Sequence, residues 1–131
     1  MVRPRHKNPT PAELEVLQII WEHGPCTVRD VMNFLSPKKS RAYTSVMSLM
    51  NVMAEKGMLG QKPKGRAFIY SAKISQANTQ SRMLKDMLNR VFDGSASSLV
   101  THLLNQAEPD SQELKEIHKM IAEYARKKGG K

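Results

Sequence analysis

Residues 36–70 set a helical apolar period directly ahead of an alternating one, with basic residues at the start of the first and the tip of the second. From 42 to 56 the large apolar residues Val46, Leu49, Met50 and Met53 recur at helical spacing and give the segment one inward face. Gly57 follows as a stop that can take positive φ. Residues 59–61 and 66–70 then read as two short strands flanking Lys62-Pro63-Lys64-Gly65, whose composition is that of a turn. Phe68 and Tyr70 stand two apart, so they share one face of the hairpin, expected to be the core face. The stretch therefore reads as a helix followed by a wing, and the rest of the chain must supply what these two pack against.

Upstream, Thr10-Pro11-Ala12-Glu13 combines an N-cap, a proline at the first helical position and a glutamate three residues after the cap. Leu14, Leu17, Ile20 and Trp21 form an apolar stripe on the helix that follows, with Glu15, Gln18 and Glu22 turned elsewhere, and His23-Gly24-Pro25 ends it. Cys26 is expected to extend briefly and to pair with the wing. Thr27-Val28-Arg29-Asp30 repeats the capping logic for a second helix, whose inward face is expected to be Val31, Phe34 and Leu35. A loop at 36–40 leads into the third helix, so the second and third helices form a helix-turn-helix candidate that the hairpin makes winged. Residues 1–8, with Arg3, Arg5, His6 and Lys7, show no apolar period and read as a disordered basic arm.

Downstream, 71–75 is a connector, and a longer helix to Phe92 carries Leu84, Met87, Leu88 and Val91 at i, i+3, i+4 and i+7. Asp93-Gly94 closes it. Ser95 caps a short helix with Leu99, Val100, Leu103 and Leu104, and residues 105–109 break it. Asp110-Ser111-Gln112-Glu113 opens a last helix, with Leu114, Ile117, Ile121 and Tyr124 on one side, before a basic tail at 127–131. These roughly fifty residues are too few to bury a stable core alone. Their stripes are expected to pack against a second copy across a two-fold axis. The fold class is thus mainly α with a small β wing: a winged helix-turn-helix domain over 9–74 followed by a three-helix dimerisation domain over 75–126.

The net charge of +9 is unevenly placed: residues 1–74 hold twelve Lys or Arg against five Asp or Glu, and the remainder nine against seven. A basic front half suits nucleic acid, whose phosphates release counterions to Lys and Arg, or an anionic surface. No apolar run approaches the roughly twenty residues of a membrane span, and no leader precedes a cleavage site. The expectation is a soluble cytoplasmic protein without direct membrane binding. Cys26 is the single cysteine, and His6, His23, His102 and His118 show no ligand spacing, so neither a metal nor another cofactor is expected. His23 and Cys26 lack an orienting group and an oxyanion hole, and no phosphate-cradling loop is present, so the chain does not read as an enzyme.

DNA contact is assigned to two groups. Lys38, Lys39, Ser40, Arg41, Tyr43, Thr44 and Ser45 stand at the entrance to the third helix, with Ser48 one turn on, where a docked recognition helix reaches base edges and phosphates. Lys62, Lys64 and Arg66 at the wing tip are placed to grip the flanking backbone.

These residues resemble those of the bacterial penicillinase and methicillin-resistance repressors and the copper-responsive repressors related to them. The resemblance spans nearly all of the chain after Asn8. It is carried by Thr10-Pro11-Ala12-Glu13-Leu14-Glu15-Val16-Leu17, Trp21-Glu22-His23-Gly24-Pro25, Tyr43-Thr44-Ser45-Val46-Met47, Glu55-Lys56-Gly57-Met58-Leu59, Gly65-Arg66-Ala67-Phe68 with Tyr70, Val91-Phe92-Asp93-Gly94-Ser95 and Leu99-Val100-Thr101-His102-Leu103-Leu104. It implies a homodimeric winged-helix repressor on a dyad operator of double-stranded DNA. It also implies release by a membrane-bound sensor protease that cuts around Asn89, Arg90, Val91 and Phe92. Two departures stand out. Where the family usually has a basic residue followed by leucine late in the recognition helix, this chain has Val52 and Met53, and the paired cysteine motifs of the copper-responsive branch are missing. Two other readings fit the residues alone: a winged-helix module that binds an acidic protein, and a repressor that senses a small ligand between its rear helices.

Overall fold

The computed structural model describes residues 8–35 and 41–129. Its elements in chain order are α1 (Pro11–His23), α2 (Val28–Phe34), α3 (Tyr43–Glu55), β1 (Leu59–Lys64), β2 (Ala67–Ala72), α4 (Gln76–Arg90), α5 (Ala96–Ala107) and α6 (Ser111–Gly129). The expected arm up to Lys7, the loop at 36–40 and the last two residues of the expected tail lie outside the described residues.

Both front helices begin where the sequence satisfies its own first turn. Thr10 Oγ1 accepts from the Glu13 N–H at 3.2 Å while Glu13 Oε1 accepts from the Thr10 N–H at 3.0 Å. Thr27 and Asp30 do the same for α2 at 3.1 and 3.0 Å. Two otherwise orphaned donors are thereby used at each start. Gly57 at φ +89° ends the run that began in α3, and the chain turns at once into β1.

The core sits among α1, α2, α3 and the base of the hairpin. Leu17, Val31, Met50 and Met53 are fully buried, joined by Val16, Ile20, Cys26, Val28, Val46, Met58, Leu59 and Tyr70. On α3 the expected face is the observed one, with Val46, Met50 and Met53 buried and Leu49 beside them. On α1 the buried stripe is Val16, Leu17 and Ile20, while Leu14 and Trp21 are only half-buried. Trp21 stays near the surface because its indole N–H donates to the Ile74 carbonyl at 3.0 Å, which ties α1 to the connector ahead of α4. On α2 the inward residues are Val28 and Val31. Phe34 is exposed, contrary to expectation, and stacks on the His23 ring at 3.7 Å.

Glu13 does more than close the expected cap of α1. Glu13 is 3% exposed and accepts from Lys56 Nζ at 2.7 Å, so the cap of α1 also clamps the residue after α3. Burial alone would raise the Glu13 pKa, but hydrogen bonds from Lys56 and from the Thr10 backbone outweigh it and hold the carboxyl below its ordinary value. A carboxyl depressed in the folded state contributes stability that is complete above its unfolded pKa and is lost as pH falls through the folded one. Glu13→Gln is therefore expected to cost about 1.5–3 kcal/mol at neutral pH, and progressively less as pH falls through the carboxylate range. Thermal melts of both proteins from pH 7 to pH 3 check this, since the two curves should converge at the acid end.

The two strands pair antiparallel in a register running from Leu59↔Ala72 to Lys64↔Ala67. Lys62, Pro63 and Lys64 thus belong to β1, and the turn is Gly65-Arg66, with Gly65 at φ +61°. Pro63 is tolerated because β1 has β2 on one edge only. On β2, Tyr70 is 2% exposed and Phe68 is 46% exposed, so the expected core face is buried at the base of the hairpin and open at its tip. As expected, Cys26 bridges to Tyr70: the Cys26 N–H donates to the Tyr70 carbonyl at 2.9 Å and the Tyr70 N–H to the Cys26 carbonyl at 2.7 Å. Burial, and secondarily the Asp30 carboxylate, push the Cys26 thiol up, so it is a core group and not a nucleophile.

The chain divides into two units between Lys85 and Asp86, inside α4. The start of α4 is capped by Ser75, whose Oγ accepts from the Asn78 N–H at 3.0 Å, with Thr79 buried beside it. In the second unit Asp93 at φ +55° and Gly94 at φ +81° close α4, and the Gly94 N–H reaches back to the Leu88 carbonyl at 2.8 Å. Ser95 and Asp110 cap α5 and α6 as expected. The last helix continues through Arg126, Lys127 and Lys128 to Gly129, so most of the expected tail is its final turn. Basic side chains there suit the negative end of the helix dipole. Neither α5 nor α6 has a buried residue.

Candidate nucleic-acid interface

The outward face of α3 is built by subtraction. Val46, Met50 and Met53 are committed to the core, which leaves Thr44, Ser45, Ser48 and Val52 exposed, with Leu49 half-buried beneath them. These five line a shallow open groove of about 530 Å³ along the helix. Of the residues expected at its entrance, Lys38, Lys39 and Ser40 lie outside the described residues. Arg41 is turned toward α1, where its guanidinium meets Glu15 Oε1 at 3.1 Å. Tyr43 is exposed, and the guanidinium of Arg29 stands 5.0 Å from the centre of its ring. Arg29, on the exposed side of α2, is a basic residue of this face that sequence reasoning passed over. Its signal was its place in the first turn of α2, one residue before the capping Asp30.

The wing is joined to α3 by a polar contact rather than by packing alone. Tyr70 Oη donates to Asn51 Oδ1 at 2.8 Å, and Gln61 Nε2 reaches both Asn51 Oδ1, at 3.1 Å, and Tyr70 Oη, at 3.0 Å. Gln61 and Tyr70 are register partners, so the sheet itself brings these groups together. The triad fixes the hairpin against the middle of the helix. Neither Asn51 nor Gln61 is among the residues expected from sequence; the pairing of Gln61 with Tyr70 was the legible sign. Beyond this anchor Lys62, Lys64 and Arg66 are all exposed toward the tip. Lys64 also contributes to holding the Asp30 carboxyl below its ordinary value, after the hydrogen bonds from Thr27 to that carboxyl.

The rear helices hold the other candidate residues. Leu84, Met87, Val91, Leu103, Leu114, Ile121 and Tyr124 are exposed, while Leu88, Leu99, Leu104 and Ile117 are half-buried. Asn89 and Arg90 end α4, with Arg90 Nε 2.8 Å from Asp86 Oδ1. Val91 follows at 68% exposure, and Phe92 packs its ring near His102 at 5.4 Å. Among the described residues no cluster of His, Cys, Asp or Glu could hold a metal, and no helix is long and apolar enough to cross a membrane.

Three helices and a basic hairpin, with the third helix outward, define a winged-helix DNA-binding protein. The model of the penicillinase repressor family matches residues 9–123, and the chain belongs to that family. It is a DNA-binding transcriptional repressor, from a family of regulators and not of enzymes. It is 26% identical over 117 residues to the penicillinase repressor of Bacillus licheniformis, covering 89% of this chain and 91% of that one. It is 21% identical over 110 residues to the methicillin resistance regulatory protein MecI of Staphylococcus aureus (strain N315), covering 84% and 89%. The solution structure of the DNA-binding domain of the repressor BlaI is similar at 28% identity and a TM-score of 0.48, covering 55% of this chain and 90% of that one.

Proposed function

We propose that the chain acts in the cytoplasm as a homodimer that reads a dyad operator, with residues 9–74 binding DNA and 75–126 joining the two copies. The observation that carries DNA reading is the outward face of α3 standing beside a basic wing that Asn51, Gln61 and Tyr70 fix to it. The apolar side chains left exposed on α4, α5 and α6 support the pairing of two copies, since a face of that kind stays in water only at a cost. Release follows from cleavage by a membrane-bound sensor protease around Asn89–Phe92, which detaches α5 and α6. The exposure of Asn89, Arg90 and Val91 supports that reading.

Selection from random duplexes at two salt concentrations tests it. An enriched dyad, with half-sites about one helical turn apart or a multiple of it, is the expected result. Salt-sensitive binding without an enriched sequence would reduce the protein to a basic surface. On the selected operator, Thr44→Ala should weaken specific binding more than binding to random DNA. Lys64→Ala should weaken both alike and lower the slope of log affinity against log salt by about 0.9, the contribution of one phosphate.

A further inference from the structure

The face of α3 that meets DNA in the proposed function is unusual in what it lacks. Between Tyr43 and Glu55 the helix has no Arg, Lys or Gln, so no side chain on it can form the bidentate pair that reads guanine. Its one amide is Asn51, and a bidentate contact to adenine would need Asn51 Oδ1 to accept from the base. That oxygen already accepts from Tyr70 Oη at 2.8 Å and from Gln61 Nε2 at 3.1 Å, which uses both of its lone pairs. Arg41, just ahead of the helix, is held by Glu15 at 3.1 Å. What the groove does present is hydroxyl and methyl groups: Thr44, Ser45 and Ser48, with Leu49 at its floor and Val52, 43% exposed, toward its end.

Hydroxyls of this kind bond to any base edge and discriminate weakly, whereas a methyl-lined surface has one matching feature in the major groove, the C5 methyl of thymine. We infer that α3 selects its operator through thymine methyl groups, with Thr44 and Val52 as the contacting side chains. This inference rests on the proposed function and names the base feature which that face reads. The apolar Val52 is then a specificity determinant and not a gap in a set of phosphate contacts. Guanine within the half-site is left to groups other than the side chains of α3.

The test uses the full-length protein and the operator recovered by selection. Each thymine of a half-site is replaced in turn by uracil, which keeps the pairing and removes only the methyl. At one or more thymines the wild type should lose about fourfold in affinity per methyl, the value of burying one such group. Thr44→Ser keeps the hydroxyl and Val52→Ala shortens an exposed side chain, so neither disturbs the core. The double variant should bind the thymine and uracil duplexes equally, and the single variants should each lose the discrimination at one position. A wild type indifferent to uracil at every position, or a double variant that keeps the wild-type ratio, would overturn the inference while leaving the repressor reading intact. Failure to recover any operator would instead remove the reading on which it rests.

Discussion

A full-length chain carrying Leu114→Asp and Ile121→Asp should bind a single half-site as the wild type does, and a complete dyad about 10² to 10⁴ times more weakly. The two positions lie seven residues apart on α6, two turns along one stripe, and are 44% and 58% exposed. A carboxylate at either therefore costs the isolated chain little. Against a second copy the same carboxylates would have to leave water without a partner, which costs several kcal/mol. Association is then lost without damage to the reading head, and the second half-site no longer profits from the binding of the first. Sedimentation of both proteins, with titration of dyad and half-site duplexes, gives the answer. A variant that remains dimeric, or that loses half-site binding in proportion, contradicts the arrangement. In the proposed release, cleavage around Asn89–Phe92 would act by the same arithmetic, because it would remove α5 and α6 from the reading head.

What could be read from the chain alone was the chemistry that is local in sequence. The caps at Thr10, Thr27, Ser95 and Asp110 each depend on three or four consecutive residues, and each forms as its residues demand. The inward face of α3 was legible for the same reason, since its period is set within the helix. The failures are those of reach. Phe68 obeys the alternation that buries Tyr70, but alternation fixes a side and not a cover, and the hairpin extends past the core before Phe68 is reached. Phe34 follows the period of α2 and still faces water, stacked on His23 at the end of α1. The burial of Glu13 depends on Lys56, forty-three residues away, and the anchoring of the wing on Asn51 meeting Gln61 and Tyr70. The first pair is too far apart for a local pattern to show, and the second depends on how the hairpin is set against α3, which no period within either element fixes. The candidate site shows the same division: the outward row Thr44, Ser45 and Ser48 was read from its position, whereas the diversion of Arg41 to Glu15 needed the fold.

Leu17→Ala should be among the most damaging single truncations within the reading head, with a loss of about 2–5 kcal/mol. Leu17 is fully buried on the stripe of α1 that meets the core, and the hole left by its removal adds to the lost burial. Against a total stability of about 5–15 kcal/mol this is a large share, and each kcal/mol shifts the melting temperature of a domain this size by about 4–8 °C. Phe34→Ala removes a bulkier ring and should cost less than about 1.5 kcal/mol, because 47% of the residue is already in water and its main contact is one stacked histidine. Melting the two variants beside the wild type decides between residue size and burial as the measure of importance. If Phe34→Ala proves the more damaging, the core does not lie among α1, α2, α3 and the hairpin base. If the order holds, operator binding at low temperature should survive in Phe34→Ala and fall in Leu17→Ala with the folded fraction, since neither side chain belongs to the outward face of α3.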